Sequence, residues 1–361
     1  MNQSVSPGLW TLAWRRLRAD KVAMSAMSIV LLFLIALLLS ASGLIAADWD
    51  SEAGVSYAPP TWLGADQPTL QQEPSTRPVS DNPYDPLKDA IKALRSQQAP
   101  VATLDNYGIT DPIGPEMAQI QQELTRQHKH AHTEKALTLP FGADKWGHDV
   151  LKKTIKGAET SIIVGLVAAL LATLLGTLFG AFAGYFGGLV DDFFNWFYSI
   201  FTSIPYLLLI LSVAAVLQQK GVTTIILILA LTGWTGPFRL IRAEYMKHKA
   251  REYVWAADAI GASHWRKMFI HIFPNVSHVA LVQVSILVVG FIKSEVILSF
   301  LGFGVPVGTV SWGSMLNEAQ NELILGKWWQ LTAATAAMAV LVTAFSLFTD
   351  GLRDALDPKL K

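Results

Sequence analysis

The sequence predicts an all-α membrane protein that crosses the bilayer six times. Three observations carry that prediction. Of 361 residues, 52% are hydrophobic and 16% charged, against roughly 25% charged in a soluble globular chain. The apolar residues gather into six runs, each approaching or exceeding the about 20 residues a helix needs to cross a hydrocarbon core. Lysines and arginines cluster beside alternate runs, which is how short loops retained in the cytoplasm are marked.

Taken in order, residues 1–21 hold Arg15, Arg16, Arg18 and Lys21 and read as a cytoplasmic N-terminus. The first run, 22–46, is too long for a signal-peptide core, so a spanning anchor is expected. Residues 47–159 form a polar insertion and pre-helix segment, rich in Pro, Gln and Asp as far as Pro140. Within it, Met117, Ile120 and Leu124 fall on one face of an amphipathic helix over 115–130. The prolines Pro59, Pro60, Pro68, Pro74, Pro78, Pro83 and Pro86 predict irregular chain elsewhere. The expected result is a surface cap or loop without a spanning helix. His128, His130 and His132 alternate there and can share one side of an extended chain; an exposed polar loop explains them without a metal, and no fourth ligand is identifiable.

The remaining five spans lie in 160–350: Thr160–Tyr185, Phe193–Leu217, Val222–Leu240, Val279–Phe300 and Leu331–Thr349. In the second span Gly176, Gly180 and Gly184 are spaced four apart, a stripe that permits close helix packing in lipid. The fifth span contains Lys293 and Glu295, costly at membrane depth and usually turned toward a partner, a cavity or water. Two readings stand: they line a translocation path or gate, or they make structural pairs with neighbouring helices. Residues 351–361 form the C-terminus.

Charge sets the orientation. Arg239, Arg242, Lys247, Lys249, Arg251, Arg266 and Lys267 lie in or beside the loop 241–276, and Arg353, Lys359 and Lys361 follow the last span. Six crossings put these and the N-terminus on one side, the cytoplasm, with the insertion opposite. Long insertions escape the charge rule.

Several classes of chemistry are excluded. Net charge is zero, so no global basic field points to nucleic acid. There are no cysteines, hence no disulfide, thiolate ligand or thiol nucleophile. No phosphate-cradling Gly-x4-Gly-Lys-Ser/Thr loop, zinc-binding His-Glu-x-x-His helix or Gly-x-Ser-x-Gly elbow occurs. Asp191 and Asp192 are adjacent at a helix end, poor geometry for a catalytic dyad.

The most informative segment is Arg251–Asn275, REYVWAADAIGASHWRKMFIHIFPN. Ala256, Ala257 and Gly261 present small side chains that allow another protein to approach closely, while Glu252, Arg266 and Lys267 keep the segment soluble. Pro274 suits the first turn of the next helix and is expected to separate the two. In isolation an amphipathic surface helix with incidental Ala and Gly would read the same way.

This segment resembles the cytoplasmic coupling loop of bacterial ABC importer permeases. Other segments resemble one branch of that family, the second permease of the dipeptide/oligopeptide/nickel importers: WRRLRADKVAMSAMSIVLL at the N-terminus, LPFGADKWGHDVL at 139–151, Gly184–Gly188, LSFLGFG at 298–304 with Ser311-Trp312-Gly313, and DGLRDALDP at 350–358. The resemblance covers 10–46 and 139–361. It departs at Trp255, where Glu is usual, at Asp258, often basic, at His148, usually Arg, and in the length of 47–138.

The resemblance implies a type I ABC importer permease fold with a long periplasmic insertion between helices 1 and 2. It implies a multi-pass protein of the bacterial inner membrane, both termini cytoplasmic, surrounded by membrane lipid. Expected partners are a homologous second permease, two ATPase subunits that bind ATP and Mg, and a periplasmic solute-binding protein. The chain itself would hold no cofactor and hydrolyse nothing. Glu252, Ala256, Ala257, Asp258, Gly261, Ala262 and Pro274 would transmit ATPase motion to an alternating-access pathway for short peptides. A nickel or metal-chelate importer and a peptide-like antibiotic or murein-peptide importer of the same family remain open, as does a stand-alone channel or secondary transporter, which would carry membrane-depth coupling residues and need no docking loop.

Overall fold

The computed structural model describes residues 9–64, 135–306 and 308–356. Throughout these the regular structure is helical, joined by isolated bridges. A short amphipathic α1 (Leu9–Ala19) precedes α2 (Lys21–Ala41). Asp20 starts α2 by accepting from the Val22 and Ala23 amides at 2.8 and 3.1 Å, satisfying donors that have no intrahelical partner. The helix stops at Ala41, short of the apolar run's end at Ala46.

Next in the chain comes α3 (Val150–Phe186), capped by Asp149 and ended at Gly187 and Gly188, whose φ of +69° and +52° few side chains adopt. At 37 residues it is about 55 Å long, nearly twice the hydrocarbon thickness. Its polar first turns, with Lys152, Lys153, Lys156 and Glu159, therefore project beyond the predicted span. α4 (Gly188–Thr202) and α5 (Tyr206–Leu217) meet at an 85° bend before Pro205, so the third apolar run is a broken element and not one straight helix. α6 (Val222–Gly233) and α7 (Thr235–Lys249) bend by 40°. α8 (Glu252–Ala259) is the short loop helix. A π-helical segment, Arg266–Ile272, runs directly into α9 (Phe273–Phe300), followed by α10 (Trp312–Ile324) and α11 (Trp329–Leu356). Among the described residues four helices are long and apolar enough to cross a membrane, and six crossings result if each bent pair counts as one.

The glycine stripe of α3 lies against the backbone of α7. A Cβ built on Gly176 would come within 2.5 Å of the Trp234 carbonyl oxygen, on Gly180 within 2.8 Å of that of Phe238, and on Gly184 within 2.5 Å of that of Arg242. The stripe thus serves packing. At the same contact Arg242 forks onto Asp191 of α4 at 2.5 and 2.6 Å, which absorbs one of the paired aspartates into structure.

The two legs of the insertion close into a neck. Bridges pair Glu52 with His148, Gly54 with Ala136 and Pro60 with Leu139, and Lys135 meets Glu52 at 2.5 Å. The predicted helix over 115–130 and the cluster His128, His130 and His132 lie outside the described residues.

Candidate functional site

The loop between α7 and α9 is a helix clamped on one face and open on the other. Val254 and Ala257 of α8 are buried, while Glu252, Ala256, Asp258 and Gly261 are exposed and Ala262 is half-buried. Beneath the loop, Val254 joins Met268, Ile272 and Val276 in a core with Ala181 and Tyr185 of α3 and Ile241 and Tyr245 of α7. The Tyr245 hydroxyl donates to the Met268 carbonyl at 3.2 Å, and the Tyr185 hydroxyl meets His264 Nδ1 at 2.9 Å. The loop helix is therefore fastened to the ends of two spanning segments, so a force on its open face reaches both.

Gly261 closes α8 in a left-handed turn, φ +77°. Its amide donates to the Asp258 carbonyl at 2.9 Å and that of Ala262 to the Ala257 carbonyl at 3.0 Å, the bonding of a Schellman motif, which favours glycine at this position. A Cβ there would meet nothing within 4 Å of this chain, so the conformation, not crowding by its own fold, calls for glycine. Asp258 bonds Lys267 at 2.5 Å, and that ammonium holds its carboxyl below the usual range. The departure at Asp258 is thus an internal tie across the turn.

Pro274 does not separate two helices. It sits in the first turn of α9, and the chain continues helically from Arg266. The π-helical register makes this workable, because the Phe273 amide reaches back to the Met268 carbonyl and the added residue loosens the turn where a proline ring would meet the preceding carbonyl.

Among the large apolar side chains of the loop, Trp255 is 63%, Ile260 82% and Trp265 64% exposed. Trp265 is held by stacking on Phe269, with ring centroids 5.1 Å apart. Trp255 stood in the sequence as a departure, and its contribution to an apolar platform becomes visible only once Val254 and Ala257 are known to face inward.

The fold sends Lys293 and Glu295 to opposite sides of α9. Glu295 is wholly buried, accepting from Ser161 of α3 at 2.6 Å and Ser299 at 2.7 Å. Ser161 in turn accepts from the Trp312 amide at 3.3 Å, and the Trp312 indole donates to the Thr154 carbonyl at 3.1 Å. Glu295 is thus a structural knot of α3, α9 and the start of α10. Lys293 is exposed.

At the insertion side a buried charge network fixes the pre-helix signature. Asp144, fully buried, accepts from Lys153 at 2.7 Å, from the Trp146 and His148 amides at 2.8 and 3.0 Å, and faces His148 Nδ1 at 3.0 Å. Burial alone would raise its carboxyl; Lys153 and the donors outweigh that and hold it low. Lys153 also reaches Glu318 of α10 at 2.6 Å, and Gln330 of α11 donates to Glu318 at 3.3 Å. Nearby, burial pushes Glu322 up to about 7.

These features define a class: a multi-pass, all-α membrane protein whose spanning helices converge on a clamped loop with an open face. Residues 176–361 match the family described as binding-protein-dependent transport system inner membrane component, and residues 8–60 match the N-terminal TM domain of oligopeptide transport permease C. The chain belongs to the former family, as a permease component of a transport system. The dipeptide transport system permease protein DppC of Bacillus subtilis (strain 168) is 36% identical over 252 residues, 69% of this chain and 77% of the relative. The oligopeptide transport system permease protein OppC of the same organism is 37% identical over 221 residues, 61% of this chain and 72% of the relative. Among solved structures, the MetNI methionine ABC transporter in inward-facing conformations aligns over 57% of this chain and 96% of that one, with 14% identity and a TM-score of 0.43.

Proposed function

We propose that the chain forms one half of the translocation pathway of an ATP-driven importer of short peptides. A homologous second permease supplies the other half, two separate ATPase subunits bind ATP and Mg, and a solute-binding protein delivers cargo on the insertion side. The carrying observation is the loop helix, clamped by Val254 to the ends of α3 and α7 while Ala256, Trp255 and Ile260 stay open. An ATPase seated on that face moves the spans it is fastened to, which gives alternating access its lever. The relatives named as dipeptide and oligopeptide permeases support the cargo class. The Lys/Arg distribution supports cytoplasmic termini and an extracytoplasmic insertion. Lys293, exposed within a span, is assigned to the path or its gate, since a cation facing lipid there would be costly.

The test is peptide uptake by vesicles carrying the whole transporter, with ATP and the binding protein supplied. Wild type accumulates a short peptide only with ATP present. A transporter that assembles with its ATPases yet moves no peptide under these conditions would refute the cargo class.

A further inference from the structure

An open groove of about 740 Å³ lies between α7, α9 and the end of α11, beside the start of the loop helix. Leu240, Val279, Val282 and Ile286 give it an apolar floor between α7 and α9, and Arg251 and Arg353 line it from different elements beside the polar Lys247, His248, Asn275, His278 and Gln283. The groove's one carboxylate, Glu244, is occupied by Lys247 at 2.9 Å and His248 at 3.6 Å. Among the described residues neither rim arginine has an ion-pair partner. The α9 face that lines the groove continues through Ile286, Gly290, Lys293 and Ile297 at helical spacing; Lys293 is exposed, and a Cβ on Gly290 would meet nothing within 4 Å. One face therefore carries an exposed lysine and, about 10 Å further along at Ile286, leads into a groove lined by two guanidiniums with no ion-pair partner among the described residues.

We infer that this groove is the exit subsite of the pathway and takes the free C-terminal carboxylate of the peptide, with its last side chain on the apolar floor. The inference rests on the reading of the chain as a peptide permease. Planar guanidiniums bind carboxylates through paired donors, and a floor of Val, Leu and Ile accepts varied side chains without selecting among them. Lys293 lies on the same face deeper in the span, a second cation for the same carboxylate in transit. An anionic lipid headgroup is the competing occupant, disfavoured because the same face bears Lys293 at membrane depth.

The experiment uses the whole transporter in nanodiscs, with the photoreactive residue p-benzoylphenylalanine in place of Ile286, and radiolabelled trialanine as free acid or C-terminal amide. The free acid is expected to label at least five-fold more than the amide. Arg353→Gln, on α11 and outside the loop helix, should reduce acid labelling to the amide level, and Arg353→Lys should recover at least half, with ATPase co-purification confirming that assembly is retained although the groove adjoins the loop. Equal labelling by acid and amide, or full acid labelling in Arg353→Gln, overturns the inference. So does labelling abolished by phosphatidylglycerol discs but present in phosphatidylcholine discs, which would assign the groove to lipid. If wild type imports trialanine while acid and amide label alike, this inference alone fails; if it imports none, the cargo reading beneath it fails.

Discussion

Gly261 shows how much one residue carries. Its presence in Arg251–Asn275 signalled close approach by a partner, and φ of +77° with open space around it adds a left-handed backbone that calls for glycine within this chain. Gly261→Ala should cost the loop about 1 kcal/mol from the left-handed backbone alone, and Gly261→Asn less, because Asn tolerates that region. If Gly261→Ala keeps ATPase co-purification while Gly261→Asp loses it, the partner's surface adds its own constraint; equal retention by both would show that this turn carries no contact. Glu322 supplies the pH prediction. Its carboxyl ionises near 4.5 ordinarily and about 7 here, so between those values the folded state holds a proton that the unfolded state has released. Stability then falls as pH rises through that window and levels off above it. The melting temperature of the purified complex should drop by roughly 5 °C from pH 5 to pH 8, and Glu322→Gln should flatten more than half of that slope. Nothing in the sequence marks Glu322 out, because its burial depends on α10 folding back against the pre-helix segment. Glu295 was visible as an oddity, but which way it points was not: the helix period sets it opposite Lys293, and only the burial of α9 tells which of the two faces inward.

At the level of elements, composition marked the apolar runs and their order, and chain geometry added what composition does not encode. Phe193–Leu217 reads as one apolar run, yet Pro205 cannot donate to the preceding turn and the segment breaks by 85°. The α3 stripe was legible because Gly176, Gly180 and Gly184 share a face by spacing alone; that α7 is the helix they meet was not. Gly180→Leu would drive a side chain into the Phe238 carbonyl, where even a Cβ comes within 2.8 Å. It should cost more than about 3 kcal/mol, beyond ordinary overpacking, and abolish accumulation of the permease on blots. Wild-type abundance would mean that α3 and α7 do not pack in this way. The π-helical segment before α9 was likewise hidden, since Pro274 announces a helix start while the backbone before it accommodates the proline and keeps the helix running.

For the whole molecule, the insertion neck decides what can be removed. Because Gly54 pairs with Ala136 and Pro60 with Leu139, the two legs of the insertion are tied to each other by contacts that lie outside 66–132. Deleting 66–132 behind a short Gly/Ser joiner should leave the helical bundle assembled and lower uptake; undiminished uptake would show the insertion dispensable to transport. The central claim is that the loop helix offers its open face to a separate ATPase. The chain contains no cysteine, so single cysteines report without background, and Ala256 and Ala257 are neighbours that face out and in. The decisive measurement is crosslinking from each to the co-expressed ATPase with a short thiol-to-amine reagent. Ala256→Cys should yield the permease–ATPase product and Ala257→Cys at most a small fraction of it. No product from Ala256→Cys in an assembled transporter, or equal product from both, would contradict the account.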